Sequence, residues 1–153
     1  MTLLFAFLIG LFAGLRSLTP PAAVAWAVHL GWLTLRRPLS LVGSLPALII
    51  LSLLAITEII MDKLPNTPSR TAPPGLIARI VTGGFTGACV SLGGGKSAWV
   101  GAGLGVLGGI VGCFGGYQVR ARLVKSLGQP DFNIAVIEDL IAIGGSLFIV
   151  SRF

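Results

Sequence analysis

The chain has 153 residues, 54% of them hydrophobic and 10% charged, with a mean hydropathy of +0.95, which is far more apolar than a water-soluble domain. At about 20 apolar residues per bilayer crossing, that length holds roughly four to six spans with short loops and no soluble domain. The net charge of +6 falls in loops beside apolar runs, where lysine and arginine orient a chain against anionic lipid, so it does not argue for a nucleic-acid partner.

Five apolar segments are expected, making an all-α, polytopic membrane helix bundle of about five spans, read as one integral domain over residues 1–153. The first runs from Thr2 to Leu33. Its N-terminal part, Met1 to Leu15, lacks a basic leader and a small-residue cleavage pattern, so it reads as retained rather than as a signal peptide. Pro20 and Pro21 lack backbone donors and must break or kink the helix near Arg16-Ser17-Leu18-Thr19, giving one bent span or two half-helices. Arg36, Arg37 and Pro38 close this segment. The second runs from about Leu39 to Met61 and stops at Asp62-Lys63-Leu64-Pro65, where a proline-rich loop extends to Pro74. The third spans Leu76 to Leu92 and the fourth Ser97 to about Val119, with the Gly93-Gly94-Gly95-Lys96 turn between them. Arg120, Arg122 and Lys125 cap the fourth, and the last runs from Ile134 to Val150.

With five crossings, Lys63, Arg70, Arg120, Arg122 and Lys125 share one face, and Arg36, Arg37, Lys96 and Arg152 share the other. That small excess favours the first face as cytoplasmic, with the N-terminus on it. Trp32 and Trp99 then fall near the opposite interface. A weak internal repeat, 14–68 against 77–130, pairs Arg16-x-x-Thr19-Pro20-Pro21 with Arg79-x-x-Thr82-Gly83-Gly84, a kind of duplication found in transporters.

Ionisable residues inside apolar spans are costly and mark cavities, partners or interfaces. Arg16 is the deepest. With Ser17 and Thr19 it meets freed carbonyls at the break, and a helix restarting at the prolines points its positive end there, a setting that suits phosphate or carboxylate. Arg16, Ser17 and Thr19 are therefore the candidate substrate-binding residues. Against this stands a kink whose arginine merely pairs with a carboxylate. Glu58 and Asp62 lie at i and i+4 on one helix face, and the five-span arrangement brings Arg79, Glu138 and Asp139 to the same side. Glu58, Asp62, Arg79, Glu138 and Asp139 read as a gate or as an ion network tying helices together. Gly105, Gly109 and Gly112 form a small-residue stripe for close helix packing or oligomer contact. His29 is expected to be an interfacial bystander. Cys89 and Cys113 lie in apolar segments as small hydrophobes. No metal-ligand spacing, cofactor motif or Ser-His-Asp constellation is present, so no catalytic residue is assigned.

The series Gly14-Leu15-Arg16-Ser17-Leu18-Thr19-Pro20-Pro21-Ala22, Glu58-x-x-x-Asp62-Lys63-Leu64-Pro65 with Pro68-Ser69-Arg70, Ala78-Arg79 with Gly83, and Glu138-Asp139 with Ala142 resembles a family of small bacterial inner-membrane proteins classed as a domain of unknown function. The resemblance covers nearly the whole chain and implies a compact helical fold in that membrane, with no activity attached. A local likeness of Arg16-Ser17-x-Thr19 and Glu58-x-x-x-Asp62 to undecaprenyl-diphosphate phosphatases is offset by the single serine, the lack of a nearby histidine and the fewer spans. The expected function is a small transporter or channel with an anion or headgroup site at the broken helix, in contact with membrane lipids and assembled as a homo-oligomer. The alternatives are a non-catalytic scaffold or lipid-binding protein and, third, a lipid-phosphate hydrolase.

Overall fold

The computed structural model describes residues 1–153 as an all-helical bundle: α1 (Thr2–Leu15), α2 (Thr19–His29), α3 (Leu45–Met61), α4 (Pro73–Gly93), α5 (Ala98–Leu127) and α6 (Asp131–Val150), with a 3-10 turn at Leu39–Gly43 before α3. Proline opens three of these helices, α2, α3 and α4, where its missing N–H would have had no partner anyway. The same chemistry ends α1. Were the helix to continue, the carbonyls of Arg16 and Ser17 would look to the nitrogens of Pro20 and Pro21 and find no hydrogen. The backbone instead turns extended at Arg16, with φ −138° and ψ 111°. In α4 the corresponding Arg79-x-x-Thr82-Gly83-Gly84 stays helical throughout, since glycine keeps its donor.

The first segment doubles back. A Cβ placed on Gly94 would collide with Thr2, one on Gly93 would meet Leu33 and Phe153, and the rings of Phe5 and Phe153 stack edge-on at 6.1 Å. Met1, the turn after α2, the α4–α5 turn and the C-terminus therefore gather at one end of the bundle, the termini side. At 14 and 11 residues, α1 and α2 are roughly 21 and 16 Å long, each short of a hydrocarbon core of about 30 Å. They form a hairpin with Arg16–Leu18 at its buried tip. The N-terminus thus lies with Lys96 and Arg152, not with Lys63 as a first segment that crossed would have placed it. A proline pair dictates a break, whereas the direction taken after it is set by the packing of Thr2 and Leu33 on the α4–α5 turn.

Helices α4, α5 and α6, of 21, 30 and 20 residues, have the length and apolarity of membrane spans, and α3 is a shorter apolar helix of 17. Both α5 and α6 outrun the apolar segments. Arginine, leucine and lysine are good helix formers, and long basic side chains reach the interface while their stems stay apolar, so α5 continues through Arg120 and Lys125. It stops where Gly128 adopts a left-handed φ of 61°, two residues before Pro130.

Two kinds of packing hold the bundle. Along α1, α4 and α5 the contact is nearly backbone on backbone: Gly10 and Gly14 of α1 and Gly83 and Gly87 of α4 face Gly105, Gly109 and Gly112 of α5. A Cβ on Gly109 would sit 2.9 Å from the carbonyl oxygen of Arg79, closer than helices tolerate. Toward the termini side, Ala6, Ile9, Val24, Leu33, Val90 and Ile149 belong to one buried apolar cluster. Helix α3 is peripheral. It packs on α2 and the 3-10 turn and leaves Ile49, Ile50, Leu53, Ile56 and Ile60 exposed, a face suited to lipid.

Candidate functional site: an ionic network at the helix break

A broken helix in lipid leaves backbone groups that no water can satisfy. Here side chains satisfy them. At the end of α1, the Arg79 guanidinium donates Nε–H to the carbonyl of Gly14 at 3.0 Å and Nη1–H to the carbonyl of Gly75 at 3.0 Å. At the start of α2, Glu58 accepts from three donors: the Ser17 amide at 2.8 Å and hydroxyl at 2.7 Å through Oε1, and the Leu18 amide at 2.8 Å through Oε2. A cation caps the negative end of one half-helix and a carboxylate the positive end of the next, as the helix dipoles favour. The two groups stand 3.9 Å apart.

Arg16, at the tip itself, is fully buried. Its Nε donates to Asp139 Oδ1 at 2.5 Å and its Nη2 lies 2.8 Å from Asp62 Oδ2. Lys63 bonds the other oxygen of Asp139 at 2.5 Å and the carbonyl of Ile59 at 3.0 Å. Arg70 grips Glu138 with both arms, the second at 2.8 Å. Arg120 joins three acids: Asp131 at 2.8 and 2.6 Å, Asp62 at 2.8 Å and Glu138 at 3.3 Å. Asp62, just beyond the end of α3, shows the result. Burial would raise its pKa, yet the hydrogen bond from Arg120 and the positive charge of Arg16 beside it hold it well below the usual carboxylate range.

All five carboxylates of the chain and five of its eleven lysines and arginines are thereby committed to one region, and their charges cancel. The other six, Arg36, Arg37, Lys96, Arg122, Lys125 and Arg152, account for the net charge of +6. Satisfaction is incomplete at four buried side-chain atoms. Nη1 and Nη2 of Arg16 and Oγ1 of Thr19 are buried with no hydrogen-bond partner; Nη2 is near Asp62 but off the direction a hydrogen bond needs. Ser146 Oγ on α6 is likewise unpaired.

Two recesses open onto the network. One, of about 520 Å³, is lined by Asp62, Lys63, Arg70, Tyr117, Arg120 and Asp131; the other, of about 350 Å³, reaches Glu58, Asp62, Arg70 and Arg79. On the opposite side the apolar cluster closes the bundle. The arrangement is fit to hold oxyanions by fixed donors. No three His, Cys, Asp or Glu side chains are placed to share a metal ion.

Of the candidate residues, Glu58, Asp62, Arg79, Glu138 and Asp139 lie together around Arg16 and Ser17. Thr19 is buried beside them without a partner, and Arg79 spends its closest contacts on backbone carbonyls. Gly105, Gly109 and Gly112 face α1 and α4 of the same chain. Arg70 and Asp131 escape a sequence reading: Arg70 lies in a proline-rich loop yet is only 8% exposed, and Asp131 precedes the apolar run of α6. One signal was available, since a chain with five acids must draw on nearly all of them to neutralise several buried cations.

Fold and site together define a polytopic helical membrane protein with an ion-paired core at a broken helix. The family model described as a domain of unknown function, DUF4126, matches residues 3–151, and the chain belongs to that family. No curated protein and no solved structure matches it.

Proposed function

We propose that this protein is a small transporter or channel of a bacterial inner membrane, moving an oxyanion or an anionic headgroup past the helix break. Arg16, Ser17 and Thr19 bind the substrate, and Glu58, Asp62, Arg79, Glu138 and Asp139 act as the gate. One observation carries this reading: the Ser17 and Leu18 amides and the Ser17 hydroxyl form a cradle for an oxyanion, and the chain's own Glu58 carboxylate fills it. A carboxylate held this way is an internal competitor, displaced when an external anion arrives. The unpaired nitrogens of Arg16 and the hydroxyl of Thr19 beside it are donors ready for that anion. The recess at Glu58 gives access from one side while the apolar cluster blocks the other, the asymmetry that alternating access needs. So short a chain encloses a pathway more readily as a homo-oligomer, which would use the outer face of α5, its glycine stripe being occupied within the monomer.

A second reading, a non-catalytic scaffold, draws on the complete burial of Arg16 between two carboxylates. Flux and stability of reconstituted protein separate the two. For a transporter, a panel of oxyanions including phosphate stabilises the wild type and phosphate crosses proteoliposome membranes. Arg16→Lys keeps the fold but loses both responses, because lysine lacks the planar fork that grips an oxyanion at two points. A scaffold would show no flux and no anion response in either protein.

A further inference from the structure

We infer that the cleft between α5 and α6 binds one anionic phospholipid, with an acyl chain in an apolar groove and the phosphate at the ionic end. This goes beyond transport and does not require it, since none of Ser17, Leu18 and Glu58 lines the cleft.

Helices α5 and α6 are consecutive, joined only by Gly128-Gln129-Pro130, yet they splay apart around a groove of about 290 Å³. Its walls are aliphatic, with Leu11 and Leu15 of α1 on one side and Ile134, Ile137 and Ile141 of α6 on the other. Its floor is open because Gly112, Gly115 and Gly116 of α5 put no side chain there. Gly112 and Gly116 are close to other atoms, but a Cβ on Gly115 would meet nothing within 4 Å, so packing of the bundle does not require a glycine at that position. Only Arg120 and Glu138 bring charge into the groove.

Arg120 also forms a wall of the polar recess of about 520 Å³. The apolar groove and the polar recess thus adjoin at a single side chain, the arrangement an amphiphile would match. The charge there specifies its sign. Lys63, Arg70 and Arg120 line the recess against Asp62 and Asp131, with Glu138 of the groove balancing the third cation, so the unbalanced charge on this stretch of α5 is that of Arg122 and Lys125, exposed cations outside the ion-pair network. A juxtamembrane basic surface attracts anionic lipid. A free phosphate would have no use for the groove, so the occupant is a lipid of the leaflet bordering the ionic side.

The full-length protein in detergent provides the test, by thermal unfolding with added phosphatidylglycerol or phosphatidylcholine and by native mass spectrometry. Phosphatidylglycerol should raise Tm by several degrees and remain bound at one per chain, whereas phosphatidylcholine should do neither. Gly115→Leu fills the groove with its own side chain and should lose at least half of the shift while keeping the lipid-free Tm. Gly103→Leu, on the same helix with open space around its Cβ, should retain the full shift. Replacing Arg122 and Lys125 together by glutamine should abolish the preference for the anionic lipid. Equal shifts with the two lipids, an undiminished shift in Gly115→Leu, or a matching shift with glycerol phosphate alone would overturn the assignment. Should Gly115→Leu fail to fold, a wild type that retains no phosphatidylglycerol in the spectrometer overturns it as well.

Discussion

The two halves of this bundle solve the same problem by opposite means. On the termini side, helices approach through alanine, glycine and aliphatic side chains, and Ala6, Ile9, Val24 and Val90 are wholly buried without a charge among them. On the ionic side, five acids and five bases crowd around a helix that stops and starts again. Lipid offers little hydrophobic reason for helices to associate, so shape suffices where backbones can touch. Charge is a poor way to gain stability by itself, because desolvation offsets most of the attraction. The concentration of every carboxylate of the chain at one helix break, when the other half manages with small residues, is the pattern on which the proposed anion site rests.

The sharpest way to break the comparison is to remove one ionic partner. Arg16→Ala leaves Asp139 and Asp62 short of a cation in a buried setting and should cost about 3–5 kcal/mol, read as loss of folded protein or a large fall in unfolding midpoint. The apolar side has its own test in glycine. Gly105→Ala places a methyl against the Gly83 carbonyl and should destabilise by about 1–3 kcal/mol. Gly103→Ala, with nothing around it, should be neutral or gain up to about 1 kcal/mol through helix propensity. Equal effects at the two glycines would mean that α5 does not pack as described.

Acidity sharpens the contrast further. The Asp62 carboxyl is held below its ordinary range, so its contribution is complete above the unfolded value of about 4 and is lost as pH falls through that value toward the folded one. Unfolding midpoints should be level from neutral pH down to about 5 and decline below about 4, with part of the decline absent in Asp62→Asn. The smallest effect is expected at the rim. Asp131 has a side chain 60% exposed, and Asp131→Asn should change stability by about 0–1 kcal/mol, less at high salt.

Much of this contrast is legible in the sequence. Apolar runs mark the helices, Pro20 and Pro21 mark the break, and Arg16, Glu58, Asp62, Glu138 and Asp139 are visible as charges in apolar surroundings. The direction of the chain after the break is not legible, because prolines forbid continuation without choosing between a bend and a return. The extension of α5 is hidden by the equation of charge with a helix end, although arginine and lysine favour helix and snorkel. The pairing within the network is hidden too. Arg70 looks like a loop residue until the loop folds onto Cys113, whose thiol meets the Arg70 carbonyl at 3.4 Å. Nothing local in the sequence announces that Glu58 sits on the Ser17 and Leu18 amides.

That last contact is the place to press. If Glu58 stands in for an external oxyanion, weakening it should open its cradle: glutamine keeps the shape and one acceptor but neither the charge nor the second oxygen. Phosphate titrations at constant ionic strength, followed by thermal unfolding, compare the wild type, Glu58→Gln and Glu58→Gln with Arg16→Lys. Phosphate should bind Glu58→Gln at least about tenfold more tightly than wild type, a difference of about 1.4 kcal/mol, and the added Arg16→Lys should remove the gain. A Glu58→Gln protein that folds but responds to phosphate no more than the wild type would contradict the anion site and leave the ionic half as structure alone.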